Sequence, residues 1–277
     1  MKKINFLFAA VAAVLSISCN KDIKMVVSGS EMANAPISFK ISGMDVDIST
    51  KVDAVTSLES FNVIASTGSA GAESMNWSTV ATRSGDSYIT NRYWPYSDPG
   101  YHFYASNTAM TFNAAGPVVG VDGTVDVVCA HSNNPVFNVP TILNFHHVMS
   151  RLGSVTVNHT TGYSLTGLSI TLNNVRTTGT YNIRTNAWTD MNLVQTQSVQ
   201  EGANDLYVVP GQYNLSVGFT LVKGDYSGTF SGNANIDFTV EKVCNITIDI
   251  TKDPAVAISF GVSMTPWEPK EVSLTLS

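Results

Sequence analysis

Charge is scarce in this chain, and so are the groups from which catalytic and metal centres are built. Asp, Glu, Lys and Arg make up 13% of its 277 residues, and there are only five histidines and three cysteines. His146 and His147 are adjacent, so on a strand they face opposite sides and cannot close on one ion. The others, His102, His131 and His159, stand apart from one another in sequence. No HExxH, CxxC, GxSxG or phosphate-loop pattern occurs. Carboxylates are sparse, and Asp45-Val46-Asp47 and Asp122-Gly123 read as turn or edge residues. A glycosidase needs two carboxyl groups about 5–10 Å apart, and no such pair is marked here. The chain is read as non-enzymatic, with no metal and no cofactor. It also lacks a basic patch, and an acidic chain repels a phosphate backbone, so nucleic acid is excluded as a partner.

Long apolar runs are missing except at the start. MKKINFLFAAVAAVLSISCN has the parts of an export signal: Lys2 and Lys3, an apolar run from Ile4 to Ile17, then small residues before Cys19. The run is shorter than the roughly 20 residues that span a bilayer. Leu15-Ser16-Ile17-Ser18-Cys19 resembles a loose bacterial lipobox, which predicts a signal peptide over 1–18 and lipidation of Cys19. Acyl chains hold a protein on a membrane because each buried methylene contributes about 0.8 kcal/mol. Removing residues 1–18 takes away two lysines and moves the formal charge from −6 to −8. Two cysteines then remain, Cys129 and Cys244, both in strand-like surroundings. They either pair or sit apart as small buried apolar residues, the second being the commoner outcome.

What is abundant is the strand signal. Short alternating runs such as PISFKIS, FNVIAS, PTILNFHHV, GSVTVNHT, DLYVVP, YNLSVGFTLV, ANIDFTVEKVCNITIDIT and EVSLTLS are separated by Gly, Pro, Asn and Asp. Many short strands without helical heptads predict an all-β chain of two antiparallel β-sandwich domains in series. The polar stretch 19–35 reads as a tether. The domain boundary is placed near Ser150, giving domains over 36–150 and 151–277.

Aromatic residues are 9% of the chain, yet Tyr93, Trp94, Tyr96, Tyr101, Phe103 and Tyr104 crowd into YWPYSDPGYHFYASN. A loop turning at Pro99-Gly100 and then a strand is expected, with Tyr101, Phe103 and Ala105 on one face and His102, Tyr104 and Ser106 on the other. Trp94 and Pro95 would cap the first core. Exposed Tyr93, Trp94 and Tyr96 would instead offer a platform for sugar stacking.

Four patches in this order resemble the fimbrillin-like surface proteins of Bacteroides and its relatives. They are ISFKISGMDVDISTKVDAVTSLESFNVIAS, YWPYSDPGYHFYASN, PTILNFHHVMSRLGSVTV and DLYVVPGQYNLSVGFTL, with Trp267 near the end. The resemblance implies two transthyretin-like sandwiches and a lipoprotein of the outer membrane, surface-exposed within a type V pilus. It implies proteolytic removal of a first strand after a basic residue, usually Arg. The emptied groove then takes a strand from the C-terminus of a neighbouring fimbrial subunit. Here Ile37, Phe39 and Ile41 alternate as such a displaced strand would, and they could equally form an ordinary edge strand. Lys51 stands in the place of the basic residue, and no arginine precedes Arg83. That departure leaves two expectations: cleavage at Lys51, or a retained first strand in a tip or anchor subunit. Val272, Leu274 and Leu276 alternate as a donor strand would, or they pair within their own domain. The second function carried forward is a surface glycan-binding lipoprotein of a nutrient-uptake system. Either way the partners are surface ones: other subunits, a host or bacterial receptor, and the outer membrane.

Overall fold

The computed structural model describes residues 35–42, 58–133, 135–191, 194–252 and 256–266, and among them there is no helix. Twenty strands follow one another among the described residues. The first ten are β1 (Pro36–Ser42), β2 (Ser60–Thr67), β3 (Ser74–Ser84), β4 (Ser87–Tyr93), β5 (His102–Ser106), β6 (Met110–Asn113), β7 (Gly116–Val121), β8 (Val128–Ser132), β9 (Thr141–Asn144) and β10 (His146–His147). The second ten are β11 (Ser150–His159), β12 (Ser164–Val175), β13 (Gly179–Asn182), β14 (Ala187–Thr189), β15 (Gln195–Val199), β16 (Gly202–Val208), β17 (Gly211–Lys223), β18 (Tyr226–Phe238), β19 (Lys242–Lys252) and β20 (Val256–Pro266). The fold is all-β, as the alternation predicts.

The first sheet has the order β10-β8-β5-β2-β3-β4-β1-β9. Its two ends, β9 and β10, are joined by Phe145 alone, so the sheet rolls round one core. That core holds Ile37, Phe39, Phe61, Val63, Tyr88, Trp94, Phe103, Leu143 and Phe145. From β11 onward, β13 and β14 excepted, the strands build two four-stranded sheets, β16-β11-β19-β20 and β15-β12-β17-β18. They face each other across a second core rich in Leu, Ile and Val, including Leu172, Leu215, Val217, Leu221, Ile246 and Ile248. The burial of β17 alternates strictly, with odd positions such as Leu215 and Val217 inward and even ones outward.

A fourth sheet, β14-β13-β7-β6, joins the halves. Its β7 pairs with β13 from Val121↔Gly179 to Val118↔Asn182, so hydrogen bonding crosses position 150. This small sheet covers the outer side of β5 and β8, and a third core lies between them, with Tyr104, Val119, Cys129, Met149, Tyr181, Ile183 and Tyr207.

Two ladders depart from the expected antiparallel pairing. β1 runs parallel to β9, and β11 runs parallel to β19. Parallel neighbours need a long connection, and no local sequence signal marks partners so far apart. Cys129 and Cys244 are free, and each is buried. They belong to different cores. Burial without a charged neighbour pushes both thiols up to about 12, which keeps them protonated and inert.

Candidate functional site

The alternation Ile37-Phe39-Ile41 produces a strand with one apolar face, and the fold puts that strand inside the sheet rather than at its edge. β1 is hydrogen-bonded antiparallel to β4, with Ser38↔Ile89 and Phe39↔Tyr88. On its other side it pairs with β9, from Phe39↔Thr141 to Ser42↔Asn144. The ends are fixed too. Trp94 N–H donates to the Ala35 carbonyl at 3.0 Å, and Phe145 N–H donates to the Ser42 carbonyl at 3.0 Å. The Thr90 hydroxyl donates to the Ile37 carbonyl at 2.8 Å.

Ile37 and Phe39 are 0% exposed. The Phe39 ring meets Phe103 edge-on at 5.2 Å and Phe61 at 5.9 Å. Ile41 is partly buried against the same core. Lys40 points out and is exposed. An edge strand at this place is therefore excluded: β1 fills a slot whose walls are β4 and β9 and whose floor is Phe61, Phe103 and Leu143.

The aromatic stretch splits. Trp94 is 3% exposed and packs on Phe137 at 5.2 Å and on Phe103 and Tyr101 at 6.0 Å. It plugs the end of the slot at which β1 begins. Phe103 and Ala105 face the first core, while Tyr104 faces the third, so both expected faces of β5 are covered. Tyr93 and Tyr96 project into solvent, Tyr96 being 86% exposed. They form no platform with Trp94, whose ring is inside.

The remaining site residues named from the sequence, Cys19, Lys51, Val272, Leu274 and Leu276, lie outside the described residues, as does Trp267. The segment joining β1 to the rest of the first sheet also passes through such residues, 43–57. Among the described residues no group of three or more His, Cys, Asp or Glu side chains is placed to hold a metal ion.

Sequence reasoning missed a polar row in the third core. Glu73, whose side chain is 1% exposed, lies 4.0 Å from Arg184. It accepts a hydrogen bond from Tyr104 at 2.8 Å and another from Ser66 at 3.0 Å. Burial, and then the bond to Glu73, push the Tyr104 phenol well above its ordinary range. The adjacent histidines were a partial signal, because adjacency on β10 sends His146 and His147 to opposite faces.

A family model described as fimbrillin-like matches residues 50–267. A search of curated proteins finds no match. Among solved structures, a candidate cell adhesion protein from Bacteroides uniformis superposes with a TM-score of 0.54 at 16% identity, covering 84% of this chain and 99% of that one. Another from Bacteroides ovatus gives 0.52 at 14% identity, covering 86% and 100%. A third, from Parabacteroides distasonis, gives 0.52 at 10% identity, covering 87% and 99%. At these identities the likeness is one of fold.

Proposed function

The chain belongs to the fimbrillin-like family, and from that premise we propose that it is a surface fimbrial subunit that assembles by exchanging its first strand for one from a neighbour. One observation carries the reading: β1 is bonded on both sides and buries Ile37 and Phe39 completely. Its sequence neighbours, residues 43–57, lie between it and β2. A cut after Lys51 would leave β1 held by non-covalent contacts alone. Each apolar side chain as large as these contributes roughly 1.5–3 kcal/mol by burial, so an empty slot is strongly unfavourable and a replacement is favoured.

Val272, Leu274 and Leu276 have the same i, i+2, i+4 spacing as Ile37, Phe39 and Ile41. A strand with this pattern would regain the main-chain bonds to β4 and β9 and refill the three positions. Connection through residues 43–57 keeps β1 at a high effective concentration near its slot, which favours the closed monomer until the cut. The rest of the proposal follows the same family reading: two transthyretin-like units meeting near Ser150, a diacylated Cys19 anchoring the chain at the outer membrane, and an adhesive role without catalysis. Trypsin treatment followed by native gel analysis tests assembly. A cut after Lys51 with a ladder of oligomers is expected. An uncut chain, or a cut chain that stays monomeric, assigns the protein to a tip or accessory position instead.

The exposure of Tyr93 and Tyr96 keeps one second reading, glycan binding at that end of the first sheet. Retarded migration in gels containing polysaccharide, lost in the Tyr96→Ala variant, would favour it.

A further inference from the structure

The small fourth sheet is held to the first by polar groups as well as by packing. From β13 and the turn after it come Tyr181 and Arg184. From the first sheet come Tyr104 on β5, Cys129 and His131 on β8, and His146 on β10. Glu73 is supplied by the turn between β2 and β3. His146 Nε2 lies 3.3 Å from the Tyr181 hydroxyl, which donates to Asn186 at 2.9 Å. The Tyr104 ring stacks on His131 at 6.2 Å. On the register, Tyr104 faces His131 and Cys129 faces His146. The two imidazoles therefore lie on one covered face, on either side of Cys129.

We propose that this junction is an acid-sensitive clasp, which releases the β13–β14 hairpin from the first sheet when His131 and His146 take up protons.

The charge environment can be followed group by group. His131 has the Glu73 carboxylate as its facing charge, and Arg184 already occupies that carboxylate from the other side. His146 has Glu241, from the turn before β19, facing it, and His131 and His147 as like neighbours. His147 is engaged elsewhere, with Nδ1 2.9 Å from the buried Asp126 carboxylate. His102, two residues from Tyr104 on β5, sits 3.0 Å from the Gly68 carbonyl. The row thus offers two partly covered imidazoles, and the nearby carboxylates do not offset the cost of charging both.

Burial holds both histidines below the usual imidazole value of 6.5. A group of this kind binds its proton more readily once the clasp is open. Well above pH 6.5 both states are neutral and the clasp keeps its full strength. As the pH falls below 6.5, the open state gains protons that the closed state refuses, and the contact weakens. The hairpin is a good candidate to yield first, because β14 has three residues and lies at the edge of its sheet.

The test is amide hydrogen exchange of the full chain at pH 7.5 and pH 5.0, corrected for intrinsic rates. Because the open state takes up protons that the closed state refuses, protection of residues 179–189 should be lower at pH 5.0 than at pH 7.5. Residues 213–236, on β17 and β18, serve as the internal reference and should keep their protection. In the double variant His131→Gln, His146→Gln the difference between the two pH values should vanish. Unchanged protection of 179–189 in the native chain would overturn the proposal. So would simultaneous loss in 213–236, or an identical loss in the double variant.

Discussion

The two large cores of this molecule are closed in different ways. In the second, four strands close as two hairpins on tight turns, β17 with β18 from Gly211↔Phe238 to Lys223↔Tyr226 and β19 with β20 from Lys242↔Pro266 to Lys252↔Val256, while β11 reaches β16 and β19 across long connections. In the first, the wall is completed by β1, whose partners β4 and β9 lie some 50 and 100 residues away in sequence. The second core is mostly Leu, Ile and Val, with Tyr213, Phe219 and Phe238 among them, whereas the first is built on interlocked rings, Phe39 against Phe61 and Phe103 and Trp94 against Phe137. A strand held in a hairpin cannot leave without disrupting its tight turn. A core closed by a distant strand can, in principle, take that strand from elsewhere.

The sharpest way to break this contrast is to empty the slot. Phe39→Ala removes a fully buried ring and should cost about 3–5 kcal/mol, read by urea denaturation. Fluorescence of the first core should be lost at lower urea, while the transition of the second core stays where it was. Leu215→Ala is the mirror experiment, at about 2–5 kcal/mol, and it should move the second transition without loosening β1. If the two substitutions shift one common transition, the cores are not independent and the contrast fails. A smaller effect is expected where the halves meet. Gly123 has φ +76, and a Cβ there would stand 2.6 Å from the Thr177 side chain. Gly123→Ala should therefore cost about 1–3 kcal/mol of backbone strain, visible as a lower melting temperature. The smallest effect belongs to Tyr96→Ala, which removes an exposed ring and should change stability by no more than about 0.5 kcal/mol.

Much of the first slot was legible before the fold was known. Ile37, Phe39 and Ile41 alternate in plain view, and burial of Phe103 on one face of β5 and Tyr104 on the other follows from the same period. The role of β1 as an interior strand was not legible, because its parallel partner β9 is a hundred residues away and a parallel pair carries no turn signature. ANIDFTVEKVCNITIDIT looks like one run and is two strands, broken where Glu241 takes a positive φ of 60°. β3 and β4 were hidden for another reason. Their outward positions mix Ser, Thr, Asn and Arg with the exposed Met75, Val80 and Ile89, so the inward Trp77, Ala81 and Tyr88 do not stand out. Tyr93 ends β4, and in the loop after it period-two reasoning has no purchase, so the letters leave two expectations open, a Trp94 cap or a platform of Tyr93, Trp94 and Tyr96. The polar row of Glu73, Tyr104, His131, His146 and Arg184 is assembled from five separate elements, and only topology brings it together.

The claim on which the functional account rests is that the place held by β1 can be vacated and refilled from outside the chain. The most direct measurement is to cut the protein with trypsin and add a labelled peptide carrying residues 270–277, following label and released fragment on one sizing column. The account predicts that the peptide elutes with the protein in proportion to the fragment bearing Ile37 and Phe39 that leaves it. A cleaved chain that keeps its own first strand and takes up no peptide would contradict it.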